Sequence, residues 1–332
     1  MTTKNIFKIA LIFTGTILGA GFATGKELVT FFGVLGKNGA YSFFISCFLL
    51  SLCGVAILKV IYTTDATTYS QFMENIFGRF GLYIQYFNIC FLFILFSAML
   101  SGGATTISQV FNINEAISLL IFCVITFFSL IFGENAIVKI NTILCPFLII
   151  CGMLIGIYLY FYTNVSVFSQ NTSALVSSVV YTSYNAITTI SVLFAVKNMV
   201  INKKVIFLGG ILSGVFVFCI GIFMLLPLIQ NIDYVKDLSL PLFSLIDDKS
   251  FIKNLYTITV LCAIFTTAVS NGVAIQNSFK KDTIFAKVVM VLLGAIFSMM
   301  GFNNIVSVVY PIFGYLGMFE MLVIVILFFA KV

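Results

Sequence analysis

Long apolar runs separated by short polar stretches organise the whole chain. A helix crossing about 30 Å of hydrocarbon needs roughly 20 mainly apolar residues. Ten such segments fit: Ile6–Leu35, Ala40–Tyr62, Phe80–Phe111, Ala116–Phe132, Ala136–Tyr162, Ser173–Val196, Val205–Ile229, Phe251–Phe279, Ile284–Met300 and Asn304–Ala330. The pattern predicts an all-α integral membrane protein of about ten transmembrane helices. Two connecting stretches are longer than the rest. Thr63–Arg79 is polar and amphipathic, which predicts a helix lying along the membrane surface. Gln230–Ser250 holds Asp233, Lys236, Asp237, Asp247, Asp248 and Lys249 around a small apolar patch, Leu238–Ile246, expected to cap the outer side.

Composition sharpens this picture. Of 332 residues, 61% are hydrophobic and 8% charged, too little charge to cover a water-soluble surface. Ten spans with short turns use up the sequence, so it reads as a single transmembrane domain over 1–332. The first apolar run continues past the length of a signal-peptide core, which favours a retained first span. The net charge of +6 is spread singly or in pairs, so no nucleic-acid partner is expected. All eight cysteines fall in apolar stretches and histidine is absent, leaving no metal-ligand spacing.

Lysine placement sets the expected orientation. With the N-terminus inside, one side collects Lys4, Lys8, Lys59, Arg79, Lys139, Lys197, Lys203, Lys204, Lys280, Lys281, Lys287 and Lys331. The other keeps Lys37, Lys236, Lys249 and Lys253. That is a positive-inside bias, predicting a plasma-membrane protein with both termini cytoplasmic. Tyr41, Tyr62, Tyr158, Tyr160 and Tyr162 stand in for the tryptophans the interfacial belt lacks.

Ten spans divide into two sets of five, about 6–162 and 173–330, and an odd number per set inverts the second against the first. The opening helix of each set is expected to be discontinuous. The first carries Gly15, Gly19, Gly21 and Gly25, followed at once by Lys26 and Glu27. The sixth carries Tyr181-Thr182-Ser183-Tyr184-Asn185-Ala186-Ile187-Thr188-Thr189. Matching breaks in two repeats point to a transporter's binding site. Each glycine costs about 1 kcal/mol against alanine in a helix interior, so the first segment reads either as unwound backbone lining a cavity or as close helix packing. In the eighth span Ala263, Thr266 and Thr267 share a helix face. Their spacing fits a set of oxygen ligands, and equally fits threonines bonding back to their own helix.

The run Gly19-Ala20-Gly21-Phe22-Ala23-Thr24-Gly25-Lys26-Glu27 resembles the first-helix signature of the YkvI family of bacterial membrane proteins. That family belongs to the amino acid–polyamine–organocation superfamily, with the LeuT-like fold of five plus five helices. Ala263, Thr266 and Thr267 resemble the fold's eighth-helix pattern, and Ile137, Asn141 and Pro146 the start of its fifth helix. The resemblance implies a sodium site built from the carbonyls of Gly15, Leu18 and Ala263 and the hydroxyls of Thr266 and Thr267. It implies a substrate pocket where Gly19, Ala20 and Gly21 offer N–H groups to a carboxylate. Tyr181, Ser183, Tyr184 and Asn185 would face them from the sixth helix. Phe93, Phe96, Ser97 or Ser101 would supply a wall from the third. Proton-driven relatives place a fifth-helix lysine near the ion site, and Lys139 lies too near the start of its span to match easily. Lys26 stands where an outer-gate arginine would be expected.

The expected function is secondary active transport of a small organic solute, an amino acid or related compound, coupled to sodium. No cofactor is expected beyond that ion. The alternatives are proton coupling on the same fold, or a ligand sensor that binds without transporting. An intramembrane enzyme is disfavoured by the lack of any nucleophile–base pair at helical spacing. Glu320, deep in the last span, is a candidate for ion coupling.

Overall fold

The computed structural model describes residues 2–162, 174–238, 240–246, 251–279, 283–302 and 305–330. Ser173 and Asn304, expected to open the sixth and tenth spans, lie outside the described residues, as do Ser239, Asp247, Asp248, Lys249, Ser250, Lys280, Lys281 and Lys331.

The first apolar run forms three pieces, α1 (Thr2–Ile17), α2 (Ala20–Ala23) and α3 (Lys26–Phe31). Then come α4 (Lys37–Thr63), α5 (Tyr69–Phe77), α6 (Gly81–Phe111), α7 (Glu115–Leu130), α8 (Glu134–Tyr162), α9 (Ala174–Ala195) and α10 (Lys203–Gln230). The chain closes with α11 (Ile232–Val235), α12 (Phe251–Ser278), α13 (Ile284–Ser298) and α14 (Tyr310–Ala330), a π-helical turn at Ile305–Val309 leading into the last.

Among the described residues, six helical segments are long and apolar enough to cross a membrane: Lys37–Thr63, Tyr69–Phe111, Glu134–Phe161, Lys203–Gln230, Phe251–Ser278 and Ile305–Ala330. The others depart from that standard for identifiable reasons. α7 and α13 have 16 and 15 residues, about 24 and 22 Å at 1.5 Å per residue. α1 breaks, and α9 is long but polar. The protein is a multi-pass, all-helical membrane protein.

α9 is the centre of the molecule, and here the structure corrects the sequence reading. Every residue from Val180 to Ala195 is buried, and the helix packs against α1, α4, α12 and α14. It runs unbroken through Tyr181–Thr189, so the expected second discontinuity is absent. The segment holds no glycine or proline, and its polar side chains reinforce the helix instead of opening it. Thr182 donates to the Ser178 carbonyl at 2.8 Å, Ser183 to Val179 at 2.7 Å, and Asn185 to Tyr181 at 2.9 Å. Such back-bonding is how a polar side chain is satisfied inside a membrane bundle. Gly314 and Gly317 of α14 let the two backbones touch, since a Cβ at either would press on the Val180 or Ser183 carbonyl.

α1, α4, α9 and α10 pack on one another, while α6, α7, α12 and α13 form a second group and α8 touches both. Polar residues sit inside and large apolar ones outside, Phe161 and Phe285 each 77% exposed, as lipid contact allows. α5 is amphipathic as expected. The Thr68 hydroxyl caps it by accepting from the Gln71 amide at 3.2 Å. Its buried face of Tyr69, Phe72, Met73 and Ile76 docks on the bundle, with Phe72 4.7 Å from Phe194.

Candidate functional site at the break in the first helix

The helical ladder of α1 ends where the Leu18 amide donates to Thr14 at 2.9 Å. The Gly19 amide turns to the Ile17 carbonyl at 2.7 Å, and Gly19 itself is extended at φ −76°, ψ −171°. A second departure follows at Gly25, φ +84°, a left-handed geometry that glycine adopts without strain. Both alternatives open at this segment are realised, unwinding at Gly19 and Gly25 and close packing of Gly15 against α8. The carbonyls that unwinding frees are taken up by distant elements. Ala23 accepts from the Tyr256 hydroxyl at 2.6 Å, and Thr24 from the Leu242 amide at 3.1 Å. Leu242, in the expected apolar cap, therefore seals one side of the break. Lys26 joins that seal, its ammonium donating to the Lys236 carbonyl at 3.1 Å.

Of the five expected ion ligands, Gly15 and Thr267 meet at the junction of α1 and α12. Because Gly19 has turned away, the Gly15 carbonyl is free to accept from the Thr267 hydroxyl at 2.9 Å. Thr266 instead bonds back to Ala263 at 2.9 Å. Leu18 and Ala263 line one small cavity between them. Gly15 is pressed against α8, where a Cβ would collide with the Asn141 amide, and Asn141 in turn donates to Ser270 at 3.1 Å.

Beside this junction lies a small cavity of about 20 Å³ among buried side chains, room for about one water. Gly19, Tyr184 and Asn185 line it, with Ile17, Glu27, Met99, Thr188, Thr267, Asn271 and Tyr310. Ala20 and Gly21 lie at the break, outside the residues that line the cavity. The Ala20 amide faces the Met99 sulfur at 3.3 Å, and the Glu27 carboxylate fills the space a Gly21 side chain would need. Tyr181 stacks edge-on to Tyr184 at 5.4 Å. Three expected pocket residues face elsewhere. Ser183 points at α14, its hydroxyl 3.8 Å from the Met321 sulfur. Phe96 wedges against Gly272 and Gly294, and Ser97 bonds back to Phe93 at 2.9 Å. Leu95 and Met99 of the same helix line the cavity instead; the wall was placed on the wrong face of α6.

Two cavity residues went unread in the sequence. Glu27 is 3% exposed and accepts from the Tyr184 hydroxyl at 2.6 Å, with the Phe22 amide facing the same carboxylate. Asn271 is fully buried, and neither its amide nitrogen nor its oxygen has a partner among the described residues. Its position was visible, one turn beyond Thr267 on the same face. Glu27 was not, because its place beside Lys26 at the end of the glycine run does not fix which way its side chain turns.

A second buried polar group lies apart from the cavity. Glu320 accepts from the Asn88 amide at 3.0 Å, that amide approaches the Tyr69 hydroxyl at 3.4 Å, and Tyr69 pairs with Ser191 at 2.8 Å. The second Glu320 oxygen and the Asn88 oxygen lack partners among the described residues. Tyr69 also borders a polar cavity of about 230 Å³ beside Lys197 and Glu134.

Solved structures of several transporters share this chain's all-helical fold. The chain superposes on Mhp1, a nucleobase-cation-symport-1 family transporter, with TM-score 0.67 and 13% identity, over 91% of this chain and 74% of that one. It superposes on MhsT in complex with L-phenylalanine with TM-score 0.65 and 13% identity, over 96% and 87%. A Na+-coupled sialic acid symporter gives 0.61 and 14%, over 94% and 75%. In sequence the chain is similar to the Bacillus subtilis membrane protein YkvI, 25% identical over 94% of this chain and 92% of the relative. YyaD of the same organism is 24% identical over 94% of each. No protein-family model matches the chain.

Proposed function

We propose that the protein is a secondary active transporter that moves a small organic solute, an amino acid or related compound, by alternating access. The observation that carries this reading is the small cavity between the parted backbone at Gly19 and the polar face of α12 and α9. Bare peptide groups at bilayer depth are tolerated where they line a cavity or hold a ligand. The group of α1, α4, α9 and α10 is the rocking unit, α8 the hinge-side neighbour, and Leu242 the seal that parts when the cavity opens on its side. The ten-span, five-plus-five division and cytoplasmic termini belong to this reading, supported by the lysine bias and by the transporter neighbours.

Sodium is the favoured coupling ion. The Gly15 carbonyl and the Thr267 hydroxyl already meet, Thr266 and Ala263 are adjacent, and all the donors are oxygen, the ligand type that hard cations prefer. Binding there would favour one state of the α1–α12 junction and so raise solute affinity by linkage. Thermal unfolding in sodium chloride against potassium chloride tests it. Sodium should raise the melting temperature of the parent and not of Thr267→Ala; equal curves in the two salts would reject sodium. Proton coupling is the second reading, and Glu320 supports it, a buried carboxylate joined through Asn88 to Tyr69 at the edge of a polar cavity.

A further inference from the structure

We infer that the cavity at the α1 break recognises a small organic amine through Glu27 and Asn271, and that its ligand carries an ammonium group without a free carboxylate. The inference rests on the transporter reading and narrows its solute.

The argument begins at Gly21. A substrate carboxylate was expected to meet backbone amides there, but the chain places its own carboxylate in that space. A side chain at Gly21 would collide with Glu27, so the glycine is what lets the acid fold back against the break. The donors on Glu27, the Tyr184 hydroxyl at 2.6 Å and the Phe22 amide, are both neutral. The neighbouring ammonium of Lys26 is turned outward to the Lys236 carbonyl. A second carboxylate entering here would meet a fixed acceptor where it needs donors, and like charges at close range repel. An ammonium would meet its complement, in a setting where a charge-assisted hydrogen bond is stronger than a neutral one.

Asn271 is the independent observation. It borders the same cavity, is fully buried, and has neither amide atom satisfied among the described residues. Buried polar groups are rarely left so, and each such case asks for a reason. A ligand bearing a second polar group, a hydroxyl or another amine, would supply the missing partner. The aromatic surroundings complete the match. Tyr184 and Tyr310, whose ring centroids lie 5.1 Å apart, both line the cavity, and ring faces attract organic cations. A bare proton on Glu27 would neutralise the acid while leaving Asn271 unsatisfied and the rings without a role. The present volume admits about one water, so the ligand enters with the widening that alternating access supplies.

Thermal stabilisation of the purified full-length protein tests this, with ethanolamine and putrescine set against glycolate, succinate and alanine, each in potassium and in sodium chloride. Hits are followed by counterflow in proteoliposomes. The amines should stabilise the parent and the acids should not. Glu27→Gln should weaken amine binding by at least about tenfold, and Asn271→Ala by several-fold. Asn271→Ala removes a side chain that has no partner, so it should fold as well as the parent and keep the test decisive if Glu27→Gln does not. Stabilisation by the acids or by alanine, retained in both variants, would overturn the amine assignment while leaving transport standing. Stabilisation by sodium alone, lost in Glu27→Gln but kept in Thr267→Ala, would also overturn it by making Glu27 an inorganic cation site. Failure of every probe to bind or exchange would reject the transporter reading itself.

Discussion

α1 and α9 cross the same central region, and both are rich in residues that do not suit a membrane helix, yet one opens and the other stays wound. The difference lies in backbone freedom. α1 and its continuation carry Gly15, Gly19, Gly21 and Gly25, while α9 carries none. Around the glycines the Gly19 amide can leave its helical acceptor and Gly25 can adopt positive φ at little cost. In α9 the hydroxyls and the Asn185 amide return to carbonyls three or four residues back, so polarity thickens the helix bonding. Polar composition marks a buried helix; only glycine and proline mark where it can part.

Five substitutions would break or sharpen that contrast, taken from the largest expected effect. Gly15→Ala or Gly21→Ala drives a methyl into Asn141 or Glu27. The cost should be about 1–3 kcal/mol, typical of overpacking, read as a lower melting temperature together with loss of ligand binding. Tyr184→Phe removes a 2.6 Å donor from a buried carboxylate and should cost about 1–3 kcal/mol, measured by the same unfolding curves and accompanied by altered ligand affinity. Ala186→Gly installs in α9 the residue it lacks. The loss should be about 1 kcal/mol, with local amide exchange faster than in the parent and binding retained. Thr182→Ala deletes a buried hydroxyl bonded mainly within its own helix and should cost about 0.5–1 kcal/mol. A large loss there would show that α9 depends on its side-chain bonds more than its backbone ladder.

Much of the architecture was legible before any coordinates. Hydropathy placed α4, α6, α8, α10, α12 and α14 within a few residues of their ends, because lipid-facing length is set by bilayer thickness. The glycine spacing marked the stretch where α1 breaks, and the family resemblance paired Thr267 with Gly15. The rest depended on directions that spacing does not fix. Phe96 and Ser97 sit on the face of α6 next to the one that lines the cavity, so a small rotation exchanged them for Leu95 and Met99. Glu27 and Lys26 are adjacent in sequence but point opposite ways, one into the cavity and one to the seal. The polar run of α9 was read as a break because its burial on all sides is a property of the assembled bundle.

The most direct test is hydrogen–deuterium exchange of the protein in nanodiscs, comparing peptides that cover 18–25 with those that cover 178–191. The account predicts that the first exchanges faster, slows when an amine binds, and that the second stays protected throughout. Equal protection of the two, or faster exchange in the second, would contradict it.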